Sequence, residues 1–206
     1  MSDIVVHYFD IYGRAETIRL ILHYAGIPFT DHRIQFEEWP AIKATGFTEF
    51  GQLPAVDIDG HRLVQTRSII RYLCQKYNYY VSGIQDVYYV ESLCDLIDDI
   101  GTYMGKFVYN KDFEGLNKAF EERMPDWLRK LEARLERNNG GQGFFVGDHA
   151  TKADFYAFGL LHTFIIKIHP EYFDSYAPKV KQWMTRIIES SQTLKTYLDS
   201  RPQRDF

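Results

Sequence analysis

The spacing of apolar side chains changes part-way along the chain. Up to about residue 77, strand-like runs alternate with helix-like ones. Residues 4–8 (IVVHY) are short and β-branched. Residues 14–25 carry apolar side chains at 15, 18, 21, 22 and 25, a helical period, and stop at Gly26-Ile27-Pro28. Residues 29–34 fit a second strand, and 39–45 a short helix broken by Gly46. Residues 53–58 alternate after Pro54, Asp59-Gly60 is a hairpin turn, and 62–64 return as its partner strand. Residues 68–77 are helical again. The order is β-α-β-α-β-β-α. The first two strands should be parallel, joined by a right-handed crossover, and the last two should form a hairpin.

Residues 79–84 lose periodicity and read as a linker. From 85 onward the signals are almost all helical. Helices are predicted over 87–109, 116–137, 151–168, 177–189 and 193–198, with a glycine-rich loop at 139–143. The division is therefore 1–78, a linker at 79–84, and an all-helical bundle over 85–206. Thr151-Lys152-Ala153-Asp154 before an apolar run reads as a capping box. In such a box the Thr hydroxyl accepts from the Asp154 N–H, and the carboxylate reaches back to the Thr151 N–H. Its expected role is structural, worth about 1 kcal/mol.

Composition narrows the functional classes. Of 206 residues, 45% are hydrophobic and 25% charged, which argues against disorder. The balance of 24 basic and 28 acidic residues, net -4, gives no general attraction to nucleic acid or an anionic membrane. Cys74 and Cys94 form neither a disulfide framework nor a metal-ligand spacing, so a reducing, cytoplasmic setting is expected. No charged-then-apolar leader is visible. The longest apolar stretch, 155–168, is interrupted by His162, Thr163 and Lys167 and falls short of the roughly 20 residues a bilayer span needs.

The first part has the layout of a thioredoxin-like domain, with Pro54 opening the third strand. The fold class read from the chain is thus an α/β thioredoxin-like N-terminal domain followed by an all-α helical-bundle C-terminal domain. Thiol redox chemistry would need C-x-x-C between the first strand and first helix. YFDIYG stands there instead. What remains at that corner is a helix N-terminus, suited to an anionic ligand, with Tyr8 at the strand end facing it and Arg14 opening the helix.

Five strings in one order, YFDIYGRAETIR, EEWPAIK, FGQLPAVDIDG, QTRSIIRYL and KADFYAF, together resemble the sigma-class glutathione transferases, the group that includes hematopoietic prostaglandin D synthase. The likeness runs from Ile4 to the closing RPQRDF. It implies a cytoplasmic, homodimeric detoxifying transferase of alkyl or aryl groups, with glutathione as co-substrate and a hydrophobic electrophile as second substrate. Tyr8 takes the position of the hydroxyl that stabilises the thiolate, and Arg14 supports it. The resemblance places Trp39 and Lys43 on the glycyl carboxylate. It places the Leu53 backbone, turned by a cis Pro54, on the cysteinyl backbone, with Gln52 adjacent. Gln65 and Thr66 bind the γ-glutamyl carboxylate, where relatives carry Gln-Ser.

In DLIDD, Asp95, Asp98 and Asp99 crowd one helix face, which on its own reads as a solvated acidic surface. The resemblance implies that Asp98 reaches the γ-glutamyl amine in the partner's site. It also implies a divalent cation, Mg²⁺ or Ca²⁺, at the dimer interface on these carboxylates. Ile11, Tyr12, Gly101, Met104, Gly105, Phe107 and Phe158 are expected around the second substrate. Lys106 stands where prostaglandin D₂-forming relatives have Trp, which weakens an isomerase reading. The alternatives are a glutathione-dependent prostaglandin isomerase or peroxide reductase, and a non-enzymatic crystallin-like binding protein. The short 110–115 loop, with Tyr8 and Arg14 present, favours an enzyme.

Overall fold

The computed structural model describes residues 4–166 and 169–204, so positions 167–168 of the helix predicted over 151–168 lie outside the described residues. In chain order the elements are β1 (Val5–Phe9), a 3₁₀ turn (Gly13–Ala15), α1 (Glu16–Tyr24), β2 (Thr30–Ile34), α2 (Trp39–Ala44), β3 (Ala55–Ile58), β4 (His61–Val64) and α3 (Thr66–Lys76). Then come α4 (Ile84–Tyr109), α5 (Phe113–Glu136), a 3₁₀ turn (Asn139–Gly141), α6 (Lys152–Leu160), a π-helical turn (Leu161–Ile165), α7 (Pro170–Tyr176), α8 (Pro178–Glu189) and α9 (Gln192–Ser200).

Two compact units result. One comprises the residues up to 78 together with those from 191 on, and the other comprises 79–190. In the first, the strand order is β2-β1-β3-β4. β1 runs parallel to β2 and antiparallel to β3, and β3 and β4 form the hairpin. Val6, Ile18, Ile21, Val56, Ile69 and Leu73 are fully buried in this unit. The sequence division places 191–204 with the helices, but here they join the sheet-bearing unit. The reason is local. α9 packs on α1. Ser191 caps α9 by accepting from the Leu194 N–H, and its hydroxyl donates to the Tyr24 carbonyl at 3.0 Å.

In the second unit α4 packs on α6, and α5 on α7 and α8. Cys94, Leu128, Leu131, Ala157, Phe158 and Trp183 fill the core. The capping box is formed, with the Thr151 N–H on Asp154 Oδ2 at 2.9 Å. Asp154 also accepts from the Phe145 N–H (3.0 Å) and the Trp183 indole (2.9 Å), so one buried carboxylate ties three segments together. Lys152 is fully buried and pairs with Glu91 at 2.7 Å. α4 begins at Ile84, inside the stretch read as a linker, and the Tyr79 carbonyl accepts from the Lys152 N–H at 2.8 Å. Among the described residues no helix is long and apolar enough to cross a membrane.

Candidate active site

A cavity of about 370 Å³ opens in the sheet-bearing unit. Tyr8 and Phe9 from β1, Arg14 from the following turn, Trp39 from α2, the 51–54 segment before β3, and Gln65 and Thr66 at the start of α3 line it. Tyr8 sits near the end of β1, only 7% exposed. Its hydroxyl oxygen accepts the Arg14 backbone N–H at 3.1 Å. Gly13 makes this approach feasible. Its φ is +42°, and a Cβ there would lie 2.7 Å from the Tyr8 hydroxyl oxygen. Burial raises the Tyr8 pKa, opposed by the Arg14 N–H and by the charges of Arg14 and Arg19. The phenol therefore keeps its proton at neutral pH and acts as a donor.

The opposite wall is backbone-rich. The Leu53–Pro54 bond is cis. The Gln52 N–H donates to the Thr48 hydroxyl at 3.1 Å, and Gln65 Nε2 donates to Gln52 Oε1 at 3.0 Å. Gln65 is the N-cap of α3 at φ +70°, and no acidic side chain occupies the first turn of that helix. Free N–H groups of that turn suit a carboxylate.

Arg19, which the sequence reading left without a role, is completely buried beneath this site. It donates to Asp31 (3.0 Å), to the carbonyls of Ile11 (3.1 Å) and Tyr12 (3.3 Å), and to Glu16 (3.3 Å). Its spacing gave a signal: it falls on the same face of α1 as Ala15, Ile18 and Leu22, where an apolar residue is expected.

The structure thus gathers Tyr8, Arg14, Trp39, Gln52, Leu53, Pro54, Gln65 and Thr66 around one cavity. Lys43 is exposed and not part of the lining, with its stem passing over Gly51. Two of the residues expected around the second substrate are fully enclosed. Tyr12 is fully buried and donates to the Pro202 carbonyl at 2.7 Å. Phe158 is fully buried in the helical unit, stacked on His162 and edge-on to Trp183. Neither ring has exposed surface. Ile11 is half-buried. In the helical unit Met104 is buried, Phe107 half-buried, Gly101 faces the Leu160 side chain, and Gly105 is exposed.

Asp98 is half-buried on α4, between exposed Asp95 and Asp99. Among the described residues no group of three His, Cys, Asp or Glu side chains converges to hold a metal ion. The cation expected on Asp95, Asp98 and Asp99 belongs to a dimer interface and would need carboxylates from both copies, which one chain alone does not assemble.

A mixed sheet of this order with a cis-proline wall, together with an all-helical unit, has the layout of a thioredoxin-like domain joined to a helical domain. Comparison with known proteins agrees. The family profile described as "Glutathione S-transferase, N-terminal domain" matches residues 4–75, and "Glutathione S-transferase, C-terminal domain" matches 98–201. "Glutathione S-transferase 2" of Manduca sexta is 31% identical over 210 residues, covering 100% of both chains. "Hematopoietic prostaglandin D synthase" of Mus musculus is 29% identical over 204 residues, covering 98% of each. Among solved structures, the Onchocerca volvulus Pi-class glutathione S-transferase has a TM-score of 0.88 at 28% identity, covering 97% of this chain and 93% of its own. A Fasciola hepatica sigma class enzyme has 0.86 at 25% identity, covering 100% and 99%. The chain belongs to the glutathione S-transferase family. Glutathione is its co-substrate, and its activity is conjugation of the glutathione thiol to electrophiles.

Proposed function

We propose that the Tyr8 hydroxyl stabilises the glutathione thiolate for attack on a hydrophobic electrophile. The observation that carries this reading is the hydroxyl itself, protonated, in the cavity wall, with the Arg14 N–H already on its oxygen at 3.1 Å. An oxygen that accepts that bond still has its own proton to donate, and the ligand sulfur is the acceptor. A free cysteine thiol ionises near about 8.5, and lowering that by about two units needs about 2.7 kcal/mol. A hydrogen bond to a charged group supplies roughly 1.5–3 kcal/mol. The thiolate then attacks the electrophilic carbon, and the leaving group departs with its electron pair.

The rest of the tripeptide is assigned by charge and shape. Gln65, Thr66 and the N–H groups opening α3 take the γ-glutamyl carboxylate. The Leu53 backbone before Pro54 pairs with the cysteinyl segment, as strand addition does. Trp39, with Lys43 one turn along α2, holds the glycyl carboxylate. Arg14 supports Tyr8 electrostatically, and Asp98 of a second copy meets the γ-glutamyl amine. This reading makes the protein a cytoplasmic, sigma-class detoxifying homodimer. Its class is supported by the Fasciola likeness, and its dimerisation by large aromatics left at the surface, Phe50 at 56% exposed among them. The isomerase alternative is not favoured: Lys106 is exposed beside the Tyr103 ring, 4.3 Å from its centroid, where that chemistry has Trp.

The test is conjugation of glutathione to a generic aryl halide by the wild type and Tyr8→Phe. A fall in kcat/KM of about 100-fold, the equivalent of about 2.7 kcal/mol, is expected with glutathione affinity nearly unchanged. Full activity in Tyr8→Phe would overturn the assignment.

A further inference from the structure

The turn that carries Arg14 is gripped by residues some 190 positions away in sequence. Glu16 is 1% exposed, and its carboxylate is shared among Arg19 Nη1 (3.3 Å), the Tyr197 hydroxyl (2.9 Å) and Arg201 Nη1. Arg201, itself buried, also lies over the Tyr12 ring, 4.6 Å from its centroid. The Tyr12 hydroxyl donates to the Pro202 carbonyl at 2.7 Å. Asp10 accepts from Arg204 at 2.8 Å and from Arg33 at 3.3 Å. These attachments fall at positions 10, 12 and 16, on both sides of the Gly13–Arg14 peptide. That peptide supplies the N–H on the Tyr8 hydroxyl.

We infer that Arg201, acting through Glu16 and together with the Tyr12–Pro202 bond, positions the Arg14 N–H against the Tyr8 hydroxyl and so sets the acidity of the bound thiol. The inference rests on the Tyr8 reading above. Its physical basis is directional. The Arg14 N–H fixes the rotation of the hydroxyl, and with it the direction of the proton given to sulfur. Such a bond weakens steeply with misalignment. A displacement of about 1 Å in a positioned group can slow a reaction by about 100-fold. Glu16 is held where it is because a buried carboxylate without its cations is strongly disfavoured. Arg201, Glu16 and Tyr12 are thus positioning residues. None of them lines the cavity.

The test titrates the thiol of bound glutathione by its thiolate absorbance, alongside kcat, KM for glutathione and the melting temperature. Tyr12→Phe removes one hydrogen bond and no charge. It should raise the thiol pKa by about half a unit and lower kcat at pH 6.5 about threefold, with KM within about twofold. Arg201→Gln should raise the pKa by about one unit and lower kcat about tenfold, and Arg201→Lys should recover most of both. Should Arg201→Gln fail to fold, Tyr12→Phe decides. If Tyr12→Phe, and Arg201→Gln where it folds, melt earlier but titrate as the wild type does, the clamp is structural only and the inference falls. Tyr8→Phe run beside them separates the two ideas. If it too leaves the titration unmoved, the Tyr8 reading fails first and takes the inference with it. If it moves the titration and the clamp variants do not, only the inference fails.

Discussion

Both units bury polar side chains, but to different ends. In the helical unit Thr151, Lys152 and Asp154 occupy the first turn of α6, all fully buried. Their hydrogen bonds run to groups of the same unit. Asp154 accepts from two backbone N–H groups, a hydroxyl and an indole, and Lys152 is neutralised by Glu91. In the sheet-bearing unit Glu16, Arg19 and Arg201 are equally buried, yet they surround a turn that faces a cavity. There Tyr8 takes one hydrogen bond and keeps another to give. Burial of a polar group therefore does not mark function. Hydrogen-bonding capacity left over and aimed at a cavity does.

That contrast can be broken at several points. The largest effect is expected at Asp154→Ala, which strands buried donors and should destabilise the helical unit by about 3–5 kcal/mol in chemical denaturation. The folded fraction should still bind glutathione. Loss of binding in protein that is still folded would erase the distinction between the two units. Gly13→Ala comes next, with opposite character. Stability should fall by about 1–2 kcal/mol because φ is +42° there. Conjugation should fall by about 100-fold, since the new methyl group displaces the Tyr8 hydroxyl. Steady-state kinetics beside a melting curve separates the two losses. Thr151→Ala should cost about 1 kcal/mol and Thr151→Ser almost nothing, with kinetics unchanged in both.

The smallest effect concerns protons. His7 bridges His32 (Nδ1 to Nδ1, 2.8 Å) and Asp57 (3.0 Å) across the sheet. Burial lowers its pKa below 6.5, against the pull of Asp57. Burial lowers that of His23 as well. The unfolded chain then binds more protons than the folded one as pH falls through 6.5, so stability drops across that window. His7→Gln should flatten the slope of melting temperature against pH between about 7 and 5.5 without abolishing it, because His23 still contributes. An unchanged slope would show that His7 titrates as it does in the unfolded chain. The carboxylates held low, Asp10 and Asp57, act only at more acidic pH.

Much of this was legible in the residues. Alternation and period located all four strands, the parallel first pair and the hairpin, because each strand is bounded by a turn signal. Of the cavity wall, Tyr8 and Arg14 stood out by their place at the strand end and helix start, whereas Trp39, Gln52, Leu53, Gln65 and Thr66 came only through the resemblance to glutathione transferases. The α7 helix escaped because Pro170–Tyr176 is too short and too aromatic to show a period. The helix predicted to start at Arg14 begins as a 3₁₀ turn, since Gly13–Ala15 follows the demands of Tyr8 rather than its own propensity. Arg201 and Arg204 were invisible as partners of Glu16 and Asp10. Pattern reveals which face of a helix is apolar, not which distant charge will meet it. The enclosure of Tyr12 and Phe158 was hidden for the same reason. An aromatic-rich sequence does not distinguish a ring facing a ligand from one packed in a core.

The return of residues 191–204 to the first unit has a bearing on biosynthesis. A ribosome that has released the first 78 residues has released every strand of the sheet and the whole lining of the cavity. Glu16 still lacks Arg201 and Tyr197, and Asp10 still lacks Arg204. The helical unit is, in topological terms, an insertion between the two pieces of its neighbour. It can be complete while the nascent sheet is still waiting. The catalytic half is translated first and finished last, so a ribosome stalled short of residue 201 would hold a chain with the cavity's residues but not the contacts that fix its key turn.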